Sequence, residues 1–387
     1  MRVTGSFLFH NATVHTEDGS FERGWVLVEG GRIARIGRGV PPPESAVEST
    51  DLQGQALLPG LVDLHAHGAL GHDTMDATPE ALREMARFYA RHGVTGFLAT
   101  TMSSPPLPIL AALRNVAEVM HAPTRGAALL GAHAEGPHLD VERRGCQDPA
   151  HMRPADPDEY RRWFETGAVA LLTLAPEIPG SQEIIRYAVE HSAVVAAGHT
   201  RASYEQMCRA VELGLTQVTH LFNAMDPLHH RQPGAVGAAL SLDALSCQLI
   251  ADNVHIHPAV LKLAVRAKGV ERIILITDAM AGAGMPDGQY ALGGLAVTVR
   301  QGVARTADGA LAGSTLTLER GLANIIAATG LSLQQALPMA TLNPARALGL
   351  DARKGSIAVG KDADLIVVDG GLNVVLTMVA GEVIHRL

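Results

Sequence analysis

The sequence predicts an α/β fold: a (β/α)8 TIM-type barrel carrying a small β-sandwich domain assembled from both chain ends. Three observations predict it. Eight apolar, β-type runs alternate with helical segments through the middle of the chain, and short alternating runs with turn pairs occupy both ends. No GxGxxG loop follows the first run, as an open dinucleotide-binding sheet would require. The chain has 387 residues, more than the about 250 of a bare barrel, so a second, smaller domain is expected. The expected division gives 1–55 and 351–387 to the small β domain and 56–350 to the barrel.

The ends come first. Residues 6–37 hold the runs FLFHNATVHT, GWVLVEG and RIARIG, separated by Asp18-Gly19 and Gly30-Gly31, which reads as hairpins of an antiparallel sheet. A proline-rich link at 41–43 follows. Near the other end SIAV, ADLIVVD, VVLTMVAG and EVIH repeat the pattern. Each half is too short to bury a face alone, so the two are expected to share one core.

Between them the apolar runs cover 57–67, 94–101, 127–135, 169–177, 193–199, 217–225, 246–255 and 272–280. The intervening helices carry start and stop signals. Thr78 precedes Pro79 and Glu80, with Leu82, Met85 and Tyr89 at helical spacing before Gly93. Ser203 opens a segment with Tyr204, Met207, Cys208 and Val211 inward, closing at Gly214; Pro258 opens another that stops at Gly269.

Composition narrows the function. Hydrophobic residues make up 47% and charged ones 18%, with 40 glycines, enough for a large core and without a disorder signature. There are 31 basic against 39 acidic side chains, a formal charge of −8, and no basic run stands out. That argues against nucleic acid or an anionic membrane as partner and for a small molecule. No run reaches transmembrane length and the N-terminus lacks a signal peptide's apolar core. Cys146, Cys208 and Cys247 are scattered, with no CxxC pair, so neither disulfides nor a thiolate zinc site is indicated. The cytoplasm is the expected compartment.

Ligand-type residues recur at the ends of the barrel runs. The first ends in VDLHAHG, where His65 and His67 project from one face of a strand because side chains alternate with period two. Glu135 ends the third run, His199 the fifth and His255 the seventh; His220 lies in the sixth and Asp278 near the end of the eighth. In a barrel these ends open on one face, where active sites form. Glu135, His199 and His220 would make one metal site with an open position for water, suited to zinc or, with mixed donors, to iron. His65 and His67, sharing Glu135 or a solvent bridge, could hold a second ion about 3.5–4 Å away. Asp278 could take a proton from water activated by the metal and return it to a leaving amine, or serve as a ligand itself. His133 and His138 flank Glu135 and are candidates for orienting it. His92, His121 and His191 receive no function.

The blocks LLPGLVDLHAHG, GAHAEGPHLD, AAGHT, THLFNAMDPLHHRQPGAVGA, IADNVH and ITDAM, in this order, resemble the amidohydrolase superfamily and within it the N-acetylglucosamine-6-phosphate deacetylases. KGSIAVGKDADLIVVD is similar to that superfamily's return to its small β domain. The resemblance implies one or two divalent ions per subunit, zinc or iron, with Glu135, His199 and His220 as main ligands and Asp278 as general base and acid. It implies that Asn223 and Ala224 offer donors to a phosphorylated amino sugar, that His255 contacts substrate and that Leu311, Ala312 and Gly313 line the pocket. Arg231 would pair with the phosphate in a neighbouring subunit's site, which implies a homodimer; a guanidinium fork matches phosphate oxygens.

One departure stands in the loop after the EGP block. Where a histidine is common in a Gly-x-His-Asn-Pro context, this chain has Gly145-Cys146-Gln147-Asp148-Pro149. Gln147 can donate a hydrogen bond but cannot carry a proton, so Cys146 and Gln147 are expected to touch substrate and to shift its preference. N-Acetylgalactosamine 6-phosphate is the alternative substrate. A cyclic-amide hydrolase or aminoacylase of the same superfamily is the next reading, and a catalytically silent scaffold the last.

Overall fold

A computed structural model describes residues 6–41 and 48–387. Of the proline-rich link only Pro41 falls within them; Pro42 and Pro43 lie outside the described residues. Eight parallel strands follow one another around a barrel: β1 (Leu61–Ala66), β2 (Val94–Thr100), β3 (Ala128–Glu135), β4 (Val169–Leu174), β5 (Val194–Ala197), β6 (Gln217–Val218), β7 (Ser246–Ile250) and β8 (Ile273–Ile276). A helix follows each: α1 (Pro79–Arg91), α2 (Pro106–Val119), α3 (Pro157–Glu165), α4 (Ser181–Glu190), α5 (Tyr204–Glu212), α6 (Gly234–Ser241), α7 (Pro258–Lys268) and α8 (Leu318–Thr329). The barrel closes just beyond β8. Asp278 N–H donates to the His65 carbonyl and His67 N–H to that of Ala279, both at 2.8 Å, and Ala66 bridges Ala279.

The local signals act as read. Thr78 Oγ1 accepts from Ala81 N–H to cap α1, and Ser203 and Gln206 form a reciprocal capping box at α5. On α5, however, only Met207 and Ala210 are buried; Tyr204, Cys208 and Val211 are half-buried at the edge of the core. The strands are shorter than the apolar runs, which continue into the loops that carry the functional side chains.

Residues from six of the eight strands fill the barrel interior, two each from β1 and β8: Val62, Leu64, Leu98, Leu171, Ala196, Ile250, Ile274 and Ile276. Two strands then change face. The pairing of β1 with β2 slips between Asp63 and Ala66, and that of β3 with β2 slips between Leu129 and Gly131. A slip of one residue turns all later side chains over. Val62 and Leu64 therefore fill the interior below, and His65 and His67 occupy it above; on β3, Leu130 gives way to His133 and Glu135.

The chain ends form one eight-stranded sheet. Ser6–Thr16, Gly19–Glu29 and Arg32–Arg38 make the expected hairpins, and Leu365–Val368, Val374–Val379 and Glu382–Arg386 the returning arm. The joining strand is Ala56–Pro59, which pairs parallel with Ser6–Thr16 and antiparallel with Leu365–Val368. The first apolar run thus splits at Gly60, its beginning serving the small sheet. SIAV is not a strand; Ser356 Oγ instead accepts from Lys361 Nζ at 2.7 Å, and only Ile357 of the four inserts into the sheet's core. The sheet curls until its arms meet, with Phe9, Val28 and Ile33 packing in one cluster with Leu365, Val367 and Met378. Gly31 and Gly381 allow the meeting, since a Cβ on Gly381 would lie 2.6 Å from the Gly31 Cα.

A three-stranded antiparallel sheet, Gly288–Leu292, Leu295–Arg300 and Val303–Arg305, interrupts the connection from β8 to α8. It packs through Leu292, Val297 and Val299 against Met102 and Met280 at the barrel mouth. Among the described residues no single helix is long and apolar enough to cross a membrane.

Candidate metal centre

The five histidine and glutamate side chains read as ligands meet at the C-terminal rim. His220 Nε2 lies 3.1 Å from Glu135 Oε1 and 3.1 Å from His199 Nε2, and His199 Nε2 lies 3.3 Å from the same oxygen. On the other side His65 and His67 Nε2 are 3.1 Å apart, and each lies 3.2 Å from Asp278 Oδ1. Glu135 joins the two groups, its Oε2 standing 3.3 Å from His67 and 3.6 Å from His65. Within each group, Glu135/His199/His220 and His65/His67/Asp278, the donor atoms lie within 4.8 Å of one another, and all six residues are buried.

These donors fit divalent metal. A tetrahedral ion with ligands at about 2.0–2.2 Å has donor-to-donor edges of roughly 3.3–3.6 Å, close to the spacings found. Buried Nδ1 atoms of His65, His67 and His220 have no hydrogen-bond partner, so these rings are directed only through Nε2, toward one another and the carboxylates. His199 differs: its Nδ1 donates to the Arg143 carbonyl at 2.9 Å, which leaves a lone pair on Nε2. Burial would lower His67, but Asp278 and Glu135 beside it carry it up to about 10. Burial would likewise raise Glu135 and Asp278, yet the surrounding imidazoles, His65 foremost, hold both well below the usual carboxylate range. The two carboxylates thus stay ionised among the imidazoles, the donor set that a divalent cation takes.

Backbone geometry aims three of these side chains. His199, His220 and Asp278 have φ of 49°, 29° and 52°, left-handed values that L-residues seldom adopt. Gly136, after Glu135, has φ 72°, and a Cβ there would come within 2.4 Å of Ser103 Oγ. Asp63 supports the barrel seam beneath: it accepts from Thr277 Oγ1 at 2.6 Å and from His65 N–H at 3.2 Å.

A cavity of about 190 Å³ opens over the metal groups, walled by Met102, Cys146, Leu292 and Leu311 with Asn223, Ala224, His255 and Gly313. A larger cleft of about 620 Å³ between the 120–126 loop and the end sheet holds none of these ligands. His255 Nδ1 is bound to Asp252 at 2.7 Å, leaving Nε2 as its free nitrogen. Asn223 Nδ2 is turned inward onto the His220 carbonyl at 3.2 Å. Burial pushes the Cys146 thiol up, so it stays protonated.

Several expectations need correction. Ala312 does not line the pocket. It is fully buried with Met280 and Leu292, while Ala310, Leu311 and Gly313 on either side of it line the pocket. Arg231, expected to act outside its own chain's pocket, is exposed on the 229–232 turn and does not line that pocket, a position that neither corrects nor tests its expected role. His133 and His138 do not touch Glu135: His133 bonds Thr173 Oγ1 at 2.7 Å and packs edge-on against His65, while His138 bonds the Arg153 carbonyl and stacks on Trp163. Glu135 is held instead by Gln147. Met102 and Leu292 were not anticipated, although Gly293-Gly294 between alternating apolar residues is a hairpin signal.

The fold agrees with the comparison to known proteins. The model of the amidohydrolase family matches residues 56–384. The chain belongs to the amidohydrolase family. It is 38% identical over 383 residues to the N-acetylglucosamine-6-phosphate deacetylase of Bacillus subtilis, covering 98% of this chain and 97% of that one. It is 37% identical to the N-acetylgalactosamine-6-phosphate deacetylase of Escherichia coli O157:H7, covering 95% of this chain and 96% of the other. Among solved amidohydrolase structures, a mutant Mycobacterium smegmatis N-acetyl-D-glucosamine-6-phosphate deacetylase in complex with N-acetyl-D-glucosamine-6-phosphate superposes with a TM-score of 0.92 at 36% identity, covering 98% and 99% of the two chains.

Proposed function

We propose that this amidohydrolase removes the acetyl group of N-acetylglucosamine 6-phosphate, releasing glucosamine 6-phosphate and acetate. The observation that carries the reading is the pair of buried ligand groups joined through Glu135 at the mouth of the barrel. The similarity to deacetylases over nearly the whole chain supports the substrate class.

Glu135, His199 and His220 are assigned as the principal ligands, and His65, His67 and Asp278 as a second group. Zinc is the favoured ion and iron the alternative, since imidazole and carboxylate suit both. A divalent cation in such a site polarises an amide carbonyl and lowers the pKa of an attacking water. Asp278 takes the proton from that water at a carboxylate oxygen as the oxygen–carbon bond forms. It then delivers the proton to the amine nitrogen as the carbon–nitrogen bond breaks. His255 Nε2, Asn223 and Ala224 are assigned to the sugar phosphate, with Cys146, Leu311 and Gly313 as walls. Arg231 would reach the phosphate of a neighbouring subunit, which makes the working unit a homodimer. We place the enzyme in the cytoplasm and propose the division expected from sequence with its first boundary moved from 55/56 to Gly60, because Ala56–Pro59 pairs in the end sheet.

N-Acetylgalactosamine 6-phosphate is the second reading, favoured by the 37% identity to the E. coli deacetylase of that sugar. Acetate release from N-acetylglucosamine and N-acetylgalactosamine, each with and without the 6-phosphate, tests both. The proposal expects turnover of N-acetylglucosamine 6-phosphate that chelation abolishes and added zinc or iron restores. No release from any of the four sugars would overturn it.

A further inference from the structure

Gln147 is buried, with 1% exposure, in the wall of the cavity over the metal groups, and each end of its carboxamide has a partner. Its Oε1 accepts from Ser103 N–H at 2.7 Å, and its Nε2 donates to Glu135 Oε2 at 3.0 Å. The orientation is dictated by chemistry, because Ser103 N–H needs an acceptor and the carboxylate a donor; the reversed amide would face both with the wrong partner. The oxygen it binds is the one turned toward His65 and His67, while Oε1 faces His199 and His220.

The terminal torsion of a glutamate is broad, so an unpinned Glu135 could rotate both oxygens onto the His199/His220 pair. Gln147 opposes this, and as a neutral amide it does so at every pH without competing for the cation. We infer that Gln147 is a positioning residue that holds Glu135 astride the two ligand groups and thereby sets uptake of a second cation by His65, His67 and Asp278. This rests on the metal reading above and reassigns Gln147 from substrate contact to support of the metal centre.

The test is stepwise binding of Zn²⁺ to the full-length, chelator-stripped protein, followed by competition with a chromophoric chelator and by elemental analysis. Wild type should take up two ions per chain. Gln147→Met, which fills the same space without a donor, should keep the first step within about threefold and weaken the second roughly ten- to a hundredfold, the usual effect of losing a partner that orients a metal ligand. Gln147→Asn, which keeps the amide but is too short to span Ser103 and Glu135, should behave likewise and covers the case of a Met variant that does not fold. KM for the sugar phosphate should stay unchanged in both. Intact two-step uptake in either folded variant overturns the inference, and a raised KM alongside it would return Gln147 to substrate contact. Uptake of a single ion by wild type also overturns it, while leaving the main metal site in place. Uptake of none by wild type removes the metal reading itself.

Discussion

His199, His220 and Asp278 reach the centre from backbone in the left-handed region, at roughly 1–3 kcal/mol each. The surrounding barrel supplies the rigidity that keeps them there. Asp278 has a double standing, since its Oδ1 touches both His65 and His67 and is also the proposed proton carrier. Asp278→Asn should lower kcat by about 10²–10⁴, the range of a lost acid–base group, while elemental analysis still finds bound metal, as expected if Glu135, His199 and His220 keep their ion. Normal turnover by that variant would remove Asp278 from the proton path. Most ligands could be read from the chain, because HxH spacing and the recurrence of His, Glu and Asp at run ends are local signals. The hold of Gln147 on Glu135 could not be read: its partner at Ser103 lies 44 residues earlier, and only the fold brings them together. Ala312 was misplaced because which residues of a loop face the pocket cannot be read from sequence.

At the level of elements, the two strand slips do the positioning. They let β1 and β3 change from apolar interior packing to polar ligands without a break in either strand. Neither slip could be read, since an apolar run looks the same on both sides of a bulge. The sheet over residues 288–305 was also missed, yet it forms the outer wall of the pocket through Leu292. Its Gly293 N–H donates to Asp73 Oδ2 at 3.0 Å, and Asp73 Oδ1 accepts from Met75 N–H. One carboxylate therefore caps the turn after β1 and ties the wall down. Asp73→Ala should cost about 1–2 kcal/mol in denaturant unfolding, the scale of a lost cap, and raise KM more than it lowers kcat. A fall in kcat at unchanged KM would show that the tie does not shape the pocket.

On the scale of the whole molecule, a buried charge cluster braces the returning arm of the end sheet beside Gly60, just ahead of the barrel's first strand. Lys354 Nζ lies 2.5 Å from Asp364 and 3.5 Å from Asp362; Asp364 also accepts from Ala380 N–H, and its carbonyl from Gly60 N–H. Lys354→Ala leaves the buried Asp364 carboxylate without its cation, while Asp362 keeps Arg353 at 2.9 Å, and should destabilise the protein by about 3–5 kcal/mol in chemical denaturation. A change under about 1 kcal/mol would mean water compensates the cluster. The barrel count and the union of the chain ends were readable because they rest on repeated runs. The joining strand Ala56–Pro59 was not, because nothing in its composition separates it from β1.

The proposed homodimer has its own signature. Arg231→Ala and Asp278→Asn chains, each poorly active alone, should regain activity when mixed as heterodimers, since one site then has both its own Asp278 and its neighbour's Arg231. Mixtures no more active than their components would confine each site to a single chain.

The most direct test of the metal centre is anomalous scattering from crystals of the zinc-loaded protein. The account predicts a peak within about 2.0–2.2 Å of Glu135 Oε1 and of the Nε2 atoms of His199 and His220. A strong peak elsewhere, or none at this rim, would contradict it.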